Sequence, residues 1–232
     1  MVNTSSSDES SQASLFAFAS APAEPSFDST FLSLRRVELD DTSWIDLAPG
    51  WVAGHDVLFE RLVREKRWGQ GSRWMYDHRV PEPRLTARWT LASGQPLEPS
   101  ILDRMRLALS ARYGVVFDSA GFNLYRDGPD SVAWHRDKIR PDIVDPVVPL
   151  VSLGEPRRLL FRPFGGGRSR AFAVGRGDLL VTGGSTQRAW EHAVLKVARA
   201  GARISIAFRY GLDPRAYGAP APGSRRAPSR AP

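Results

Sequence analysis

The sequence predicts a mainly β, α+β domain: a double-stranded β-helix, or jelly roll, with N-terminal helices packed on one face. Three observations predict it. Credible helices are confined to the first half of the chain. Short apolar, often β-branched runs fill the second half, separated by Gly and Pro clusters. Helices before strands place the helices on a face of the sheets rather than between parallel strands, and many short strands with turn signals form a sandwich or double-sheet roll.

Residues 1–30 are rich in Ser, Ala and Pro without periodicity and read as a disordered tail. The folded domain is expected over 31–213, divided into a helical and recognition part (31–113) and a jelly-roll core (114–213). Residues 214–232, Pro/Ala/Arg-rich, read as a second disordered tail. In the first part, Val57–Val63 carries apolar residues at helical spacing, with Asp56 as its cap. Ser100–Tyr113 is the stronger helix: Ser100 as N-cap, a stripe of Leu102, Met105, Leu109 and Tyr113, and Gly114 to end it. Strands are then expected at Val115–Phe117, Phe122–Tyr125, Val147–Leu153, Leu159–Phe164, Ala171–Val174, Leu179–Thr182 and Arg203–Tyr210. Gly165-Gly166-Gly167 and Gly175-Arg176-Gly177-Asp178 supply turns between them.

Composition bounds the chemistry. The 232 residues are 42% hydrophobic and 25% charged, an ordinary soluble composition for one domain. No apolar run reaches the ~18 residues of a membrane span. The Leu15–Ala21 patch lacks the basic region that a signal peptide needs, so a cytoplasmic location with no membrane association is expected. The absence of cysteine excludes disulfides, zinc–thiolate sites, iron–sulfur clusters and any thiol nucleophile or alkyl acceptor. A net charge of +7 favours a polyanionic partner, nucleic acid above all, although arginine-rich chains are also basic without one.

Within Trp134-His135-Arg136-Asp137, the histidine and the aspartate stand two apart and project to the same side of an extended segment. His192 follows as one of only four histidines, with His55, His78 and His135. Two imidazoles and one carboxylate are the set that holds a non-haem Fe(II) and leaves its other positions open. H-x-D also occurs by chance, and two His with one Asp would serve a zinc hydrolase. Downstream, Arg203, Ser205, Ala207 and Arg209 share one face of a strand, with Ile204, Ile206 and Phe208 on the other. Inward arginines need an anionic partner, and a dicarboxylate would supply it; a zinc hydrolase would leave them without a purpose.

Six segments, in order, then resemble the AlkB family of Fe(II)/2-oxoglutarate dioxygenases. They are Asn123-Leu124-Tyr125, Trp134–Asp137, Val151–Gly154, Gly177–Leu180, Thr186–His192 and Arg203–Arg209. Pro83–Trp89 resembles the family's N-terminal recognition region. The resemblance implies Fe(II) held by His135, Asp137 and His192. It also implies 2-oxoglutarate contacted by Asn123, Tyr125, Ser205, Arg203 and Arg209, with O2 as co-substrate. The activity it implies is oxidative dealkylation of bases such as 1-methyladenine, 3-methylcytosine and etheno adducts in DNA, yielding aldehyde, succinate and CO2. The chain departs from the family at Ser205, where an amide is frequent, and at Lys138, where some members carry an acid that contacts the base.

A target base must leave its stack, and aromatic side chains would clamp it. Tyr76, Arg84, Trp89 and Lys138 are the expected substrate contacts. Arg64, Lys66, Arg67, Arg73 and Arg84, interleaved with Trp68 and Trp74, form a candidate phosphate-tracking face. The expected partner is alkylated DNA and the expected state a monomer. The rival readings are a 2-oxoglutarate oxygenase acting on RNA, protein or a small molecule, and a nucleic-acid-binding module with a degenerate iron site.

Overall fold

A computed structural model describes residues 24–75 and 77–211. In chain order the first half contains β1 (Ser26–Phe27), β2 (Arg35–Glu38), β3 (Ser43–Ala48), β4 (Val52–Ala53), α1 (His55–Glu65), β5 (Ser72–Met75), β6 (His78–Pro81), β7 (Leu85–Thr90) and α2 (Ser100–Tyr113). The second half contains β8 (Ser119–Tyr125), β9 (Val132–His135), β10 (Val148–Gly154), β11 (Arg157–Pro163), β12 (Arg170–Val174), β13 (Asp178–Gly184), α3 (Thr186–Ala189), β14 (Trp190–Val194) and β15 (Arg203–Arg209).

Two antiparallel sheets make the roll. The major sheet has the order β2-β3-β13-β10-β15-β8-β7 and the minor sheet β12-β11-β14-β9. The outer face of the major sheet carries α1 and α2: Leu58, Leu62, Leu102, Met105 and Leu109 share one core with Phe122, Val151, Leu153, Ile204, Ile206 and Phe208. Each such large apolar side chain contributes about 1.5–3 kcal/mol on burial. A second core between the sheets contains Ile45, Tyr125, Leu159, Phe161, Leu180 and Trp190. The strand β15 shows why its sequence folds as it does. Its even residues enter the helix-side core, and its odd residues face the minor sheet, so both faces are buried rather than one.

Several sequence expectations need correction. Order begins before Phe31: β1 pairs with β4, and Trp51 Nε1 donates to Asp28 O at 2.7 Å. Segment 31–113 is as much strand as helix, because β2, β3 and β7 all join the major sheet. Asp56 lies inside α1, whose N-cap is Gly54 with φ 64°; Ser100 is likewise helical, after Pro99. Val115–Phe117 forms no strand but links α2 to β8. The expected Gly175–Asp178 turn holds, and Gly177 is required in it: φ is 91°, and a Cβ there would stand 2.4 Å from Val52 O. Residues 1–23 and 212–232 of the expected tails lie outside the described residues.

Candidate metal centre

The hydrogen-bonded register of β9 and β14 pairs His135 with His192 directly, with ring centroids 4.3 Å apart. The chain leaves β9 and turns back so that Asp137 Oδ1 lies 3.9 Å from both imidazole Nε2 atoms. The three groups are within 4.8 Å of one another, the geometry of a site that could hold one cation. His135 Nδ1 lies 2.9 Å from Ala133 O. A proton on Nδ1 shared with that carbonyl leaves Nε2 free as a ligand. Burial pushes the His192 pKa down to about 4 against the pull of Asp137, so the imidazole is neutral, as a ligand must be. Burial pushes the Asp137 carboxyl up, but the charge and hydrogen bonds of Arg209, with a lesser electrostatic contribution from the two histidines, override it and hold the pKa below the usual range.

Arg209 lines the cavity expected to hold the co-substrate and also braces the metal site. Its Nε and Nη2 both lie 2.8 Å from Asp137 Oδ2, so it orients the carboxylate and turns Oδ1 toward the histidines. Gln187, from α3, adds a second brace: Nε2 donates to Thr182 Oγ1 at 2.8 Å while Oε1 accepts from the Asp137 amide at 3.4 Å.

Beside the triad, a cavity of about 530 Å³ lies between the sheets, lined by Asn123, Tyr125, His135, His192, Arg203, Ser205 and Arg209 among others. Arg203 is 1% exposed at its floor. Its Nη2 donates to Ser152 Oγ at 2.7 Å and its Nε to Val174 O, while Nη1 has no hydrogen-bond partner among the described residues. A buried guanidinium nitrogen without an acceptor is costly unless a ligand supplies one, and a carboxylate is its natural complement. The register sets Ser205 opposite Asn123, whose Nδ2 donates to Ser205 Oγ at 3.3 Å. The donor set at the triad and the orphaned cation on the floor thus fit Fe(II) and a dicarboxylate.

The remaining expected contacts divide. Arg84 reaches the cavity, but as a brace: Nε donates to Asn123 Oδ1 at 2.9 Å and Nη2 lies 3.0 Å from Glu82 Oε2. Trp89 is not a clamp. It is 8% exposed in the helix-side core, with Nε1 donating to Gln95 O. Lys138 is exposed and lines, with Arg136, Phe164 and Arg188, a concavity that Asp137 and Gln187 also border. Tyr76 and the side chain of Arg73 lie outside the described residues. The proposed basic face is not continuous. Lys66 turns inward over the Phe122 ring at 4.6 Å and Trp68 packs on the core, which leaves Arg64, paired with Glu65, together with Arg67 and Trp74 exposed. Sequence reasoning missed Ser152, Gln187 and Glu82. Ser152 is a polar residue in the apolar run Leu150–Leu153, the one available signal; Gln187, between Thr186 and Arg188, and Glu82 had none.

Residues 92–209 match the 2OG-Fe(II) oxygenase superfamily. Alpha-ketoglutarate-dependent dioxygenase alkB homolog 3 of Rattus norvegicus is 31% identical over 211 residues, which cover 81% of this chain and 70% of the relative. Its Homo sapiens counterpart is 30% identical, covering 77% and 69%. DNA oxidative demethylase ALKBH2 of Homo sapiens is 29% identical, covering 66% and 67%. The solved structure of OsALKBH1 superposes with a TM-score of 0.55 at 15% identity, covering 75% of this chain and 99% of that one. At that identity the structural likeness concerns the fold.

Proposed function

This chain belongs to the AlkB family of Fe(II)- and 2-oxoglutarate-dependent dioxygenases, and we propose that it removes N-linked alkyl groups from nucleic-acid bases, with DNA as the substrate. The observation that carries the reading is the pairing of the His135–Asp137–His192 cluster with the buried, unpartnered Nη1 of Arg203 in one cavity. His135, Asp137 and His192 are the ligands proposed for iron. Fe(II), 2-oxoglutarate and O2 together supply the oxidation that hydroxylates an N-alkyl carbon, with succinate and CO2 as co-products; the resulting hemiaminal collapses to the unmodified base and an aldehyde.

The protein's part is positioning. Arg203, held from behind by Ser152, receives the far carboxylate of 2-oxoglutarate, and Tyr125 lies against its guanidinium at 5.4 Å. Asn123, fixed between Arg84 and Ser205, borders the same ligand. Arg209 keeps Asp137 ionised and oriented. The net charge of +7, with Arg88 and Lys196 lining the cavities at the site, supports a polyanionic substrate. Trp74, exposed on the β5–β6 hairpin with Arg79 beside it, offers a stacking surface for an unpaired base.

The test is incubation with Fe(II), ascorbate, 2-oxoglutarate and oligonucleotides that carry 1-methyladenine, 3-methylcytosine or ethenoadenine, with products followed by mass. Loss of the alkyl group with matching succinate is the expected result. Iron-loaded protein that turns over none of them, in DNA or RNA, would sink the reading.

A further inference from the structure

We infer that Glu82 is the anionic contact by which this site selects bases that N-alkylation has made cationic. The inference rests on the dealkylation reading above and extends it to the charge of the lesion.

A second cavity, of about 650 Å³, adjoins the first, and Glu82, Arg84, Val132 and His135 line both. The shared wall is where a base entering from the second cavity approaches the metal-binding imidazole. Among the described residues that line either cavity, Glu82 is the only carboxylate; Arg84, Arg88, Arg203 and Arg209 line the first and Lys196 the second. Bases alkylated at adenine N1 or cytosine N3 carry a positive charge and an exocyclic amine. Such a group entering a wall of arginines needs a negative partner, and Lys138 cannot be it, since it has the wrong sign.

The position of Glu82 is built. On the link between β6 and β7, its amide donates to Gly71 O at 2.8 Å, and Gln70 Nε2 donates to its carbonyl at 3.1 Å. Gly71 leaves room for the side chain, since a Cβ there would stand 3.1 Å from Glu82 Oε2. Arg84 holds Oε2 at 3.0 Å, and Oε1 has no partner among the described residues. The carboxylate is thus held in place at 26% side-chain exposure, with one oxygen left to accept from a cationic ring or its amine. A neutral lesion such as 3-methylthymine presents a carbonyl oxygen at the corresponding edge, which a carboxylate repels.

The experiment compares wild type with Glu82→Gln, which keeps an oxygen for Arg84 but removes the charge. Single-stranded oligonucleotides carrying 3-methylcytosine or 3-methylthymine are titrated against protein loaded with Fe(II) and 2-oxoglutarate without O2; kcat/KM follows in air. Wild type is expected to favour the cationic lesion, and the variant to lose about ten- to a hundredfold for it alone in both readouts. Retained binding of the neutral lesion serves as the control for folding. Equal loss on both lesions means a structural role through Arg84 and overturns the inference, as does an unchanged preference or a wild type without one. Selective binding without turnover would overturn the dealkylation reading and leave the Glu82 contact standing.

Discussion

The two ends of the cavity are built differently. The Arg203 end sits on β15, β8 and β10, central strands of the seven-stranded sheet with partners on both sides. There Arg203, Ser205 and Ser152 are all essentially inaccessible to solvent, and strand register fixes each pair. The opposite rim consists of β9, at the edge of the minor sheet, and the two-stranded β5–β6 hairpin. Trp74 on the hairpin is 68% exposed, and an isolated hairpin of this kind is marginal without support. Among the described residues, the hairpin is tied down near its base, through the Gly69–Thr86 bridge and the Glu82 amide bond to Gly71. The difference teaches where constancy and choice reside. On the proposed function, the co-substrate would be met by buried groups in fixed register and the base by groups on a more exposed edge.

The sharpest way to break this contrast is Arg203→Ala. Removing the partner of a buried charge should cost about 2–5 kcal/mol, or roughly 30- to several-thousandfold in 2-oxoglutarate affinity. Oligonucleotide affinity measured without 2-oxoglutarate should change little. A 2-oxoglutarate dissociation constant within about threefold of wild type, measured by calorimetry, would mean that the orphaned Nη1 has another purpose.

The rim predicts the mirror-image result. Trp74→Ala should weaken single-stranded oligonucleotide binding by about 1–3 kcal/mol, the usual value of one base stacked on an aromatic ring, and leave 2-oxoglutarate affinity unchanged. Fluorescence polarisation in parallel with calorimetry reads both. If both affinities fall together, the two ends are not independent and the contrast fails.

The buried end was also the more legible one. β15 could be read directly because Ile204, Ile206 and Phe208 alternate with Arg203, Ser205 and Arg209, and the alternation sorts the two groups onto opposite faces, although both faces are buried. β9 and β14 could not be read as strands, although they carry both histidines: Val132–His135 and Trp190–Val194 break apolar alternation with the very residues that do chemistry. Trp89 shows the reverse error. The family motif drew it toward the substrate, yet Leu85, Ala87 and Trp89 alternate onto the core face of β7, a period-two signal present in the sequence. The Arg209–Asp137 bond was hidden for another reason: it joins residues 72 positions apart, and nothing local specifies which of two arginines meets the carboxylate and which meets the cavity floor. The same holds for Glu82, whose significance depends on which other carboxylates fail to reach the cavities.

The smallest effect concerns the joint between the two ends. The loop from β8 to β9 carries the chain from Asn123 and Tyr125 to His135. Asp130 anchors it: Arg126 donates from its amide, Nε and Nη2 at 2.8–2.9 Å, and Arg157 Nη2 donates to the Asp130 carbonyl at 3.0 Å. The Arg126 hydrogen bonds hold the Asp130 carboxyl below the usual aspartate range. A depressed folded pKa means that the contribution to stability is present above the unfolded value of about 3.9 and is lost as pH falls through the lower folded value. Because Arg126 is half-exposed, Asp130→Asn should cost only about 1 kcal/mol at neutral pH, or roughly 2–4 °C in melting temperature. Denaturant titrations should show the gap between variant and wild type constant above about pH 5 and closing below pH 4. A gap that persists unchanged into acid would assign the anchor to neutral hydrogen bonds rather than to charge. A gap accompanied by weaker iron binding at neutral pH would show that this loop transmits the rigidity of the buried sheet to the histidine on the edge strand.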